Sequence, residues 1–280
     1  MNERDRILAS AEADVARETC ARFCRRIDDR RYDRETTAPR SREWWLLALL
    51  AVAAGIVVSL FPAPGFRPVS LGVCLVFAAI SIAAAVGRTR QRKQTAQELR
   101  ERRDLLLEAY TDYLTGVFNR QAMTRYLEAL LSDESVKSAG VLMMDIDDFK
   151  LYNDSLSHHE GDVTLRTVSD RLAQIAREAG LFVFRYGGEE FVMVMENPSE
   201  QDLIRLGVRI RRTIWDLSLP RRDDSRYERV TMTVGCAEEN TSGGEELRFS
   251  ELLLSADKQL YIGKKNGKNC VVYKSHLYQN

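Results

Sequence analysis

Two long apolar runs dominate the first third of the chain. Residues 44–61 and 69–86 contain no charged side chain, and each is close to the roughly 20 residues that an α-helix needs to cross a bilayer. Residues 62–68, which separate them, contain three prolines and a glycine, a composition that predicts a tight, helix-breaking turn. We therefore predict a transmembrane hairpin over residues 44–86, with a buried helical hairpin as the alternative.

Basic side chains are unevenly distributed around these runs. Arg40 and Arg42 precede the first run and four basic residues lie within 88–93, whereas the turn holds only Arg67. Because Lys and Arg are enriched on the cytoplasmic side of membrane helices, this distribution predicts that both termini are cytoplasmic. The chain is thus expected to be a multi-pass membrane protein.

Helical segments are predicted on both sides of the hairpin. Residues 1–43 are rich in charge and carry a loose apolar stripe, which predicts a short helix that lies on the membrane, pairs with its copy or binds nothing. Residues 87–110 are predicted to form a helical linker, whose apolar positions alternate in a 3-4 pattern broken at Arg103. A short parallel coiled coil and a single solvated helix both remain open for the linker.

From Thr111 onward the pattern changes to alternating strands and helices. Residues 140–146 are apolar and β-rich, and 181–195 indicate two strands around Gly187-Gly188, a dipeptide typical of hairpin turns. Further predicted elements are helices 161–177, 199–217 (capped by Ser199 with Asp202) and 249–265, and strands 229–237 and 270–273. Residues 111–280 are therefore predicted to form an α+β sandwich in which helices flank a mostly antiparallel central sheet.

Composition gives no support for a nucleic-acid-binding, disulfide-rich or cysteine-metal protein. Lys plus Arg number 41 and Asp plus Glu also number 41, so the chain has no net charge. The overall charge therefore gives no argument for a nucleic-acid partner. The five cysteines are odd in number and scattered, which argues against a disulfide framework. Cys20 and Cys24 stand one helical turn apart, but no nearby Cys or His completes a tetrahedral metal site.

Acidic residues stand at the ends of the apolar strands. Asp145 and Asp147 close the run 140–146, and Glu189 and Glu190 follow the Gly-Gly turn. If the two elements are neighbours, these carboxylates repel one another unless a cation lies between them. Mg²⁺ held by carboxylates and substrate phosphates is the common solution, and it suits phosphoryl or nucleotidyl transfer.

Several motifs give the domain a specific resemblance. Residues 185–191, Arg-Tyr-Gly-Gly-Glu-Glu-Phe, resemble the signature of GGDEF-domain diguanylate cyclases, in the variant with Glu at the third position. Other matching segments follow in the family's order: 111–116 with Asn119-Arg120, 145–150 with Asn153-Asp154, His158 with Gly161-Asp162 and Leu165, 231–235, and 256–269. The resemblance covers about residues 111–273. It implies a nucleotidyl-cyclase-like fold and an enzyme that condenses two GTP molecules into cyclic di-GMP and two pyrophosphates.

The resemblance also implies roles for individual residues. Asp145, Glu189 and the Ile146 carbonyl would bind Mg²⁺, with Mn²⁺ as an alternative, and Asn153 and Asp162 would recognise guanine. The implied catalytic carboxylates are Asp145, Glu189 and Glu190. The residues implied to line or neutralise the triphosphate are Phe149, Lys150, Gly187, Gly188, Lys264 and Lys268.

Each domain of this kind holds one GTP, so the resemblance, which is to bacterial enzymes, implies a homodimer through linker and catalytic domains. Together with the predicted hairpin, it predicts anchoring in the bacterial inner membrane. Many relatives carry an Arg-x-x-Asp product-inhibition site, but here its positions are Glu178 and Leu181, so we expect no feedback through it. Lys268 replaces a usual Arg and Ser157 a usual Gly. The alternatives are a catalytically silent GTP-binding module and a cyclase for another nucleotide pair.

Overall fold

The computed structural model describes residues 19, 21–26, 67–131, 133, 135–221, 225–240 and 249–279. The chain divides into two compact units. One combines Met1–Asp28 with Leu107–Asn280, and the other is Asp29–Leu106. The first unit contains the sheet and all the candidate site residues.

Helix α1, Arg67–Tyr110, is a single helix of 44 residues. It includes the second predicted span, 69–86, and continues through the predicted linker, 87–110; the first predicted span, 44–61, lies outside the described residues. Within the part of the chain that the structure describes, no helix is both long enough and apolar enough to cross a bilayer. This finding contradicts the predicted multi-pass membrane localisation. The run 69–86 is the first part of a 44-residue helix whose second half is densely charged.

One mixed sheet of seven strands organises the first unit, in the order β1-β3-β4-β2-β5-β6-β7. The strands are β1 (Phe118–Asn119), β2 (Ser138–Ile146), β3 (Val183–Gly187), β4 (Glu190–Glu196), β5 (Met232–Asn240), β6 (Val271–Tyr273) and β7 (His276–Tyr278). The pairs β1–β3 and β5–β6 are parallel and the other neighbours are antiparallel. The central strand β2 therefore ends between β4 and β5, where the candidate carboxylates lie.

Helices cover both faces of this sheet. They are α2 (Arg120–Leu131), α3 (Phe149–Ser155), α4 (His158–Glu178), α5 (Glu200–Asp216) and α6 (Phe249–Lys265). Alternate side chains of β2 enter two separate cores, with Leu142 and Met144 on one face and Val141 and Met143 on the other. A strand buried on both faces is apolar throughout, which is why the sequence shows β2 as a continuous run.

The predicted start of α5 is confirmed at the level of individual hydrogen bonds. Ser199 accepts a hydrogen bond from the Asp202 backbone N–H, and the Asp202 carboxylate accepts one from the Ser199 backbone N–H. This reciprocal capping box satisfies two backbone donors that have no partner inside the helix.

A short N-terminal helical segment, residues 19 and 21–26, packs on the sheet face covered by α2. Phe23 is fully buried, and its ring lies 4.3 Å from that of Phe118 and 5.5 Å from that of Phe182, centroid to centroid. Arg26 binds the Asp133 carboxylate at 2.5 Å and the Glu196 carboxylate at 2.9 Å. The segment thus contributes to the core of the first unit, an arrangement that none of the three sequence-based options included.

This packing predicts that a substitution at Phe23, which is far from the sheet strands in sequence, lowers the stability of the folded chain. We expect Phe23→Ala in the full chain to lower the free energy of unfolding by about 3–5 kcal/mol, because it leaves a cavity among buried rings. Arg25→Ala, an exposed position on the same segment, should change it by less than about 0.5 kcal/mol. Urea denaturation of both variants is the measurement, and equal effects would contradict the docking of Phe23.

Candidate active site

The β3–β4 hairpin brings its two acidic residues to the end of β2. Gly188, with φ of +53°, forms the turn, a conformation that favours glycine. Glu190 pairs across the ladder with Asp145, and the Ile146 N–H points at the Glu189 carbonyl at 3.5 Å. The end of the central strand and the hairpin tip are therefore neighbours, so their carboxylates share one small region.

One arginine links the turn of the hairpin to a distant segment of the chain. Arg185 donates from Nε to the Gly188 carbonyl at 2.9 Å and from Nη1 to the Asp112 carboxylate at 2.8 Å. Asp112 also accepts from the Thr115 backbone and hydroxyl at 3.0 and 2.6 Å. These contacts attach the turn to the segment that follows α1, and charge-assisted bonds of this kind are among the strongest in proteins.

Asp145 is a buried carboxylate at the end of the central strand. Its side chain is 5% exposed, and Oδ2 lies 2.6 Å from Nζ of Lys264 on α6. The pKa of Asp145 is raised to about 7, chiefly by burial and to a smaller extent by the charges of Glu189 and Asp147, although Lys264 lowers it. Burial also raises the pKa of Glu190. Negative charge here is thus under-compensated by the protein alone.

The donor atoms fit a hard divalent cation. Asp145, Glu189 and the Ile146 carbonyl offer oxygen ligands, which Mg²⁺ prefers, and phosphates commonly supply the rest of its shell. Across the described ranges, no three His, Cys, Asp or Glu side chains already converge as a metal-binding group. The predicted ligand set contains two carboxylate side chains and one backbone oxygen, one side chain fewer than such a group. At Asp145, the positive charge is provided by Lys264.

Asp147 has a different role from the one its position in the sequence indicates. Its carboxylate is buried and accepts hydrogen bonds from the hydroxyls of Thr231 (2.7 Å) and Thr233 (2.6 Å) and from the Asn269 N–H (3.0 Å). Burial raises the pKa of Asp147, while these three donors oppose the shift. The Asp147 side chain therefore points into the protein interior, where its hydrogen bonds connect the end of β2 to β5 and to the residues just before β6.

Asn153 and Asp162, the residues implied to read guanine, lie on the adjacent helices α3 and α4. The Asn153 side chain lies so close to Gly161 that a Cβ added there would be 1.8 Å from its Oδ1. That oxygen is buried and accepts no hydrogen bond from the described residues. A buried acceptor without a partner is rare in native proteins.

The remaining predicted residues divide into exposed and internal positions. Lys150 is exposed on α3, whereas Phe149 is buried in the core with its ring 5.9 Å from that of Tyr152. Lys268, in the loop before β6, forms an ion pair with Asp148. The Phe149 side chain is therefore unavailable to line a triphosphate, although its backbone is close to the end of β2.

Sequence reasoning missed Arg221, which is buried and donates to the carbonyl oxygens of Asp147 at 2.6 Å and Asp148 at 2.8 Å. It belongs to none of the matching motifs and lies 73 residues beyond Asp148 along the chain. Periodicity and motif spacing carry no signal for such a long-range contact to backbone.

Comparison with known proteins gives a consistent result. Residues 109–270 match the family described as "Diguanylate cyclase, GGDEF domain". The response regulator PleD of Caulobacter vibrioides is 36% identical over 197 residues, which are 69% of this chain and 42% of PleD. The diguanylate cyclase DgcZ of Escherichia coli is 30% identical over 59% of this chain and 53% of its own length. The chain thus spans about half or less of these curated relatives.

Two solved structures are similar in three dimensions. The coiled coil and GGDEF domain of DgcB from Caulobacter crescentus, solved with c-di-GMP, has a TM-score of 0.55 at 27% identity and covers 69% of this chain and 98% of that one. The diguanylate cyclase SiaD of Pseudomonas aeruginosa, solved with its activator SiaC, has a TM-score of 0.60 and covers 97% of this chain and 99% of its own. At 22% identity, the second likeness concerns the fold alone.

Proposed function

Because this chain belongs to the GGDEF family of diguanylate cyclases, we propose that it condenses two GTP molecules into cyclic di-GMP and two pyrophosphates. One observation carries the proposal most strongly: the buried carboxylate of Asp145 lies near the end of β2, beside the tip of the Gly-Gly hairpin, and forms an ion pair with Lys264. Such an excess of negative charge is suited to a divalent cation and a triphosphate. The Asn153 amide adds a group for the base, and its Oδ1 has no hydrogen-bond partner among the described residues.

The proposed metal ligands are Asp145, Glu189 and the Ile146 carbonyl. Enzymes of this family use a divalent metal, and we propose Mg²⁺, with Mn²⁺ as an alternative. The bound ion would neutralise phosphate charge and lower the pKa of an attacking hydroxyl. Lys264, which contacts Asp145, would be the positive charge that the protein supplies to the phosphates.

The chain's own carboxylates would handle the proton. We assign to Glu189, at the exposed side of the hairpin turn, the role of accepting the proton of the ribose 3′-hydroxyl that attacks the α-phosphate of the other GTP. Glu190 lies opposite Asp145 in the ladder, and its raised pKa supports a part in the same charge balance. Gly187 and Gly188, without side chains, leave the backbone accessible to the phosphates.

Guanine specificity would come from α3 and α4. Asn153 offers both an amide donor and its unpartnered acceptor, and Asp162 accepts from the N1 and N2 hydrogens of guanine, which adenine lacks. Lys150 is exposed on the same helix and free to approach the triphosphate. Lys268 instead pairs with Asp148, so we assign it to orienting the turn before α3 as well as to the charge balance.

Cyclisation requires two GTP molecules on opposite sides of a dimer. Since each domain would hold one, proximity of two domains is the main catalytic resource, and we propose a homodimer through the catalytic domains and α1. A tether of this kind raises the effective concentration of one domain near the other. We also propose that feedback through an Arg-x-x-Asp site is lacking, because Glu178 pairs with Arg209 and Leu181 has no carboxylate.

The direct test is product formation by the purified full chain. With GTP and Mg²⁺ we expect a product with the mass of cyclic di-GMP, and none with ATP alone. Glu189→Gln should lower the rate by about 100-fold or more, because it removes the proposed proton acceptor. Glu200→Gln, an exposed carboxylate at the start of α5, is the matched control and should keep the rate. GTP bound without product would contradict the enzyme and favour a silent binding module.

Gly161 offers a sharper test of the guanine site. An Ala there would displace the Asn153 amide, since the new Cβ would overlap Oδ1, and we expect the KM for GTP to rise roughly tenfold with little change in stability. The effect should vanish in an Asn153→Ala background, because the two changes act through one side chain. Gly87→Ala, where an added Cβ meets nothing within 4 Å, is the control. An equal rise in KM with and without Asn153 would contradict this role.

A further inference from the structure

The turn that joins β2 to α3 determines how the two halves of the proposed site face each other. Asp145 ends β2 on the metal side, and Asn153 lies on α3 on the base side, with Asp147 and Asp148 between them. Asp148 has a φ of 53° and ψ of 36°, the left-handed conformation, and its side chain forms no cap bond to α3. Asp adopts this conformation more readily than most non-glycine residues, and the contacts around the turn determine that it does so here.

Arg221 is placed to impose that conformation. Its side chain enters from the segment after α5, where Pro220 and Arg229 form an isolated bridge. Nη1 donates to the Asp147 carbonyl at 2.6 Å and Nη2 to the Asp148 carbonyl at 2.8 Å. The guanidinium also lies 5.6 Å from the ring centroid of Tyr152, which belongs to α3. One rigid, planar group therefore contacts both carbonyls of the turn and the helix that follows it.

Two other contacts hold the same turn by its side chains. The Asp147 carboxylate is bound by Thr231, Thr233 and the Asn269 N–H, and Asp148 forms its ion pair with Lys268. These contacts hold the carboxylates, whereas Arg221 holds the backbone. Lysine could not replace it, because an ammonium lacks the two parallel donors of the guanidinium fork.

We propose that Arg221 is a positioning residue: it fixes the direction in which α3 leaves β2, and so the distance from the carboxylate of Asp145 to the guanine-reading amide of Asn153. The inference rests on the proposed function, since it assigns those two residues to metal and base. Arg221 does not touch substrate in this account. Its effect on turnover comes from the alignment of the triphosphate with the cation, and misplacement of about 1 Å in such alignments costs up to roughly 100-fold in rate.

The test compares Arg221→Lys and Arg221→Gln with Arg229→Lys in the full chain. Arg229 lies opposite Pro220 in the isolated bridge of the same segment, donates to the Ser218 hydroxyl at 3.0 Å and stacks on Trp215. It therefore matches Arg221 in chemistry and location, but these contacts are to residues outside the turn. KM and kcat for GTP are measured with Mg²⁺, and thermal unfolding is followed in the same buffer. We expect Arg221→Lys to lower kcat/KM roughly tenfold while it remains folded at the assay temperature, Arg221→Gln to lower it further, and Arg229→Lys to match the wild type.

A purely structural role would give a different result. Activity would then fall only in proportion to the folded fraction, with KM unchanged, and that outcome would overturn the inference. Failure of both Arg221 variants to fold would overturn it as well, because Arg221 would then support the fold rather than the site. If the wild type is active and the Arg221 variants are unaffected, this inference alone is contradicted. If the wild type forms no product, the proposed function is contradicted and the inference with it.

Discussion

The structure of the site depends on one constraint: a carboxylate, Asp145, is buried at the end of the central strand and its charge must be compensated. The strand is apolar on both faces, so water cannot solvate the charge from either core. Lys264 supplies one positive charge from α6, while the hairpin adds Glu189 and Glu190 nearby. The balance is still negative, and the architecture therefore favours a site whose ligands bring cations.

A second set of contacts fixes the position of Asp145 relative to α3, which carries the proposed base-binding residue Asn153. The turn at Asp147 and Asp148 is held through its side chains by β5 and the loop before β6, and through its backbone by Arg221. These groups come from elements far apart in sequence but adjacent in the sheet order. Rigid positioning of this kind is what a reaction driven by proximity requires, since neither half of the site can react without the other.

The sequence was sufficient wherever the determining interactions are local. Ser199 and Asp202 predicted the start of α5, and the Gly187-Gly188 turn predicted the hairpin, because caps and tight turns are read from neighbouring residues. Packing between residues far apart in the chain could not be predicted from the sequence. Nothing near Phe23 in sequence indicates that its ring is buried against β1 and β3, and Asp147 resembles a second metal carboxylate until its three donors are seen. The predicted membrane localisation rested on the apolar runs alone and is contradicted in the described residues, where 69–86 belong to the long helix α1.

The central claim, that burial holds the Asp145 charge at a cost, is tested most directly by the free energy of unfolding as a function of pH in metal-free buffer. The pKa of Asp145 is about 7 in the folded chain and returns to its ordinary value of about 4 on unfolding. The unfolded state then binds fewer protons between these values, so this group's contribution to stability falls as pH rises through that window. Relative to Asp145→Asn, the wild type should lose about 2–3 kcal/mol between about pH 5 and about pH 8. Parallel curves for the two proteins would contradict the account.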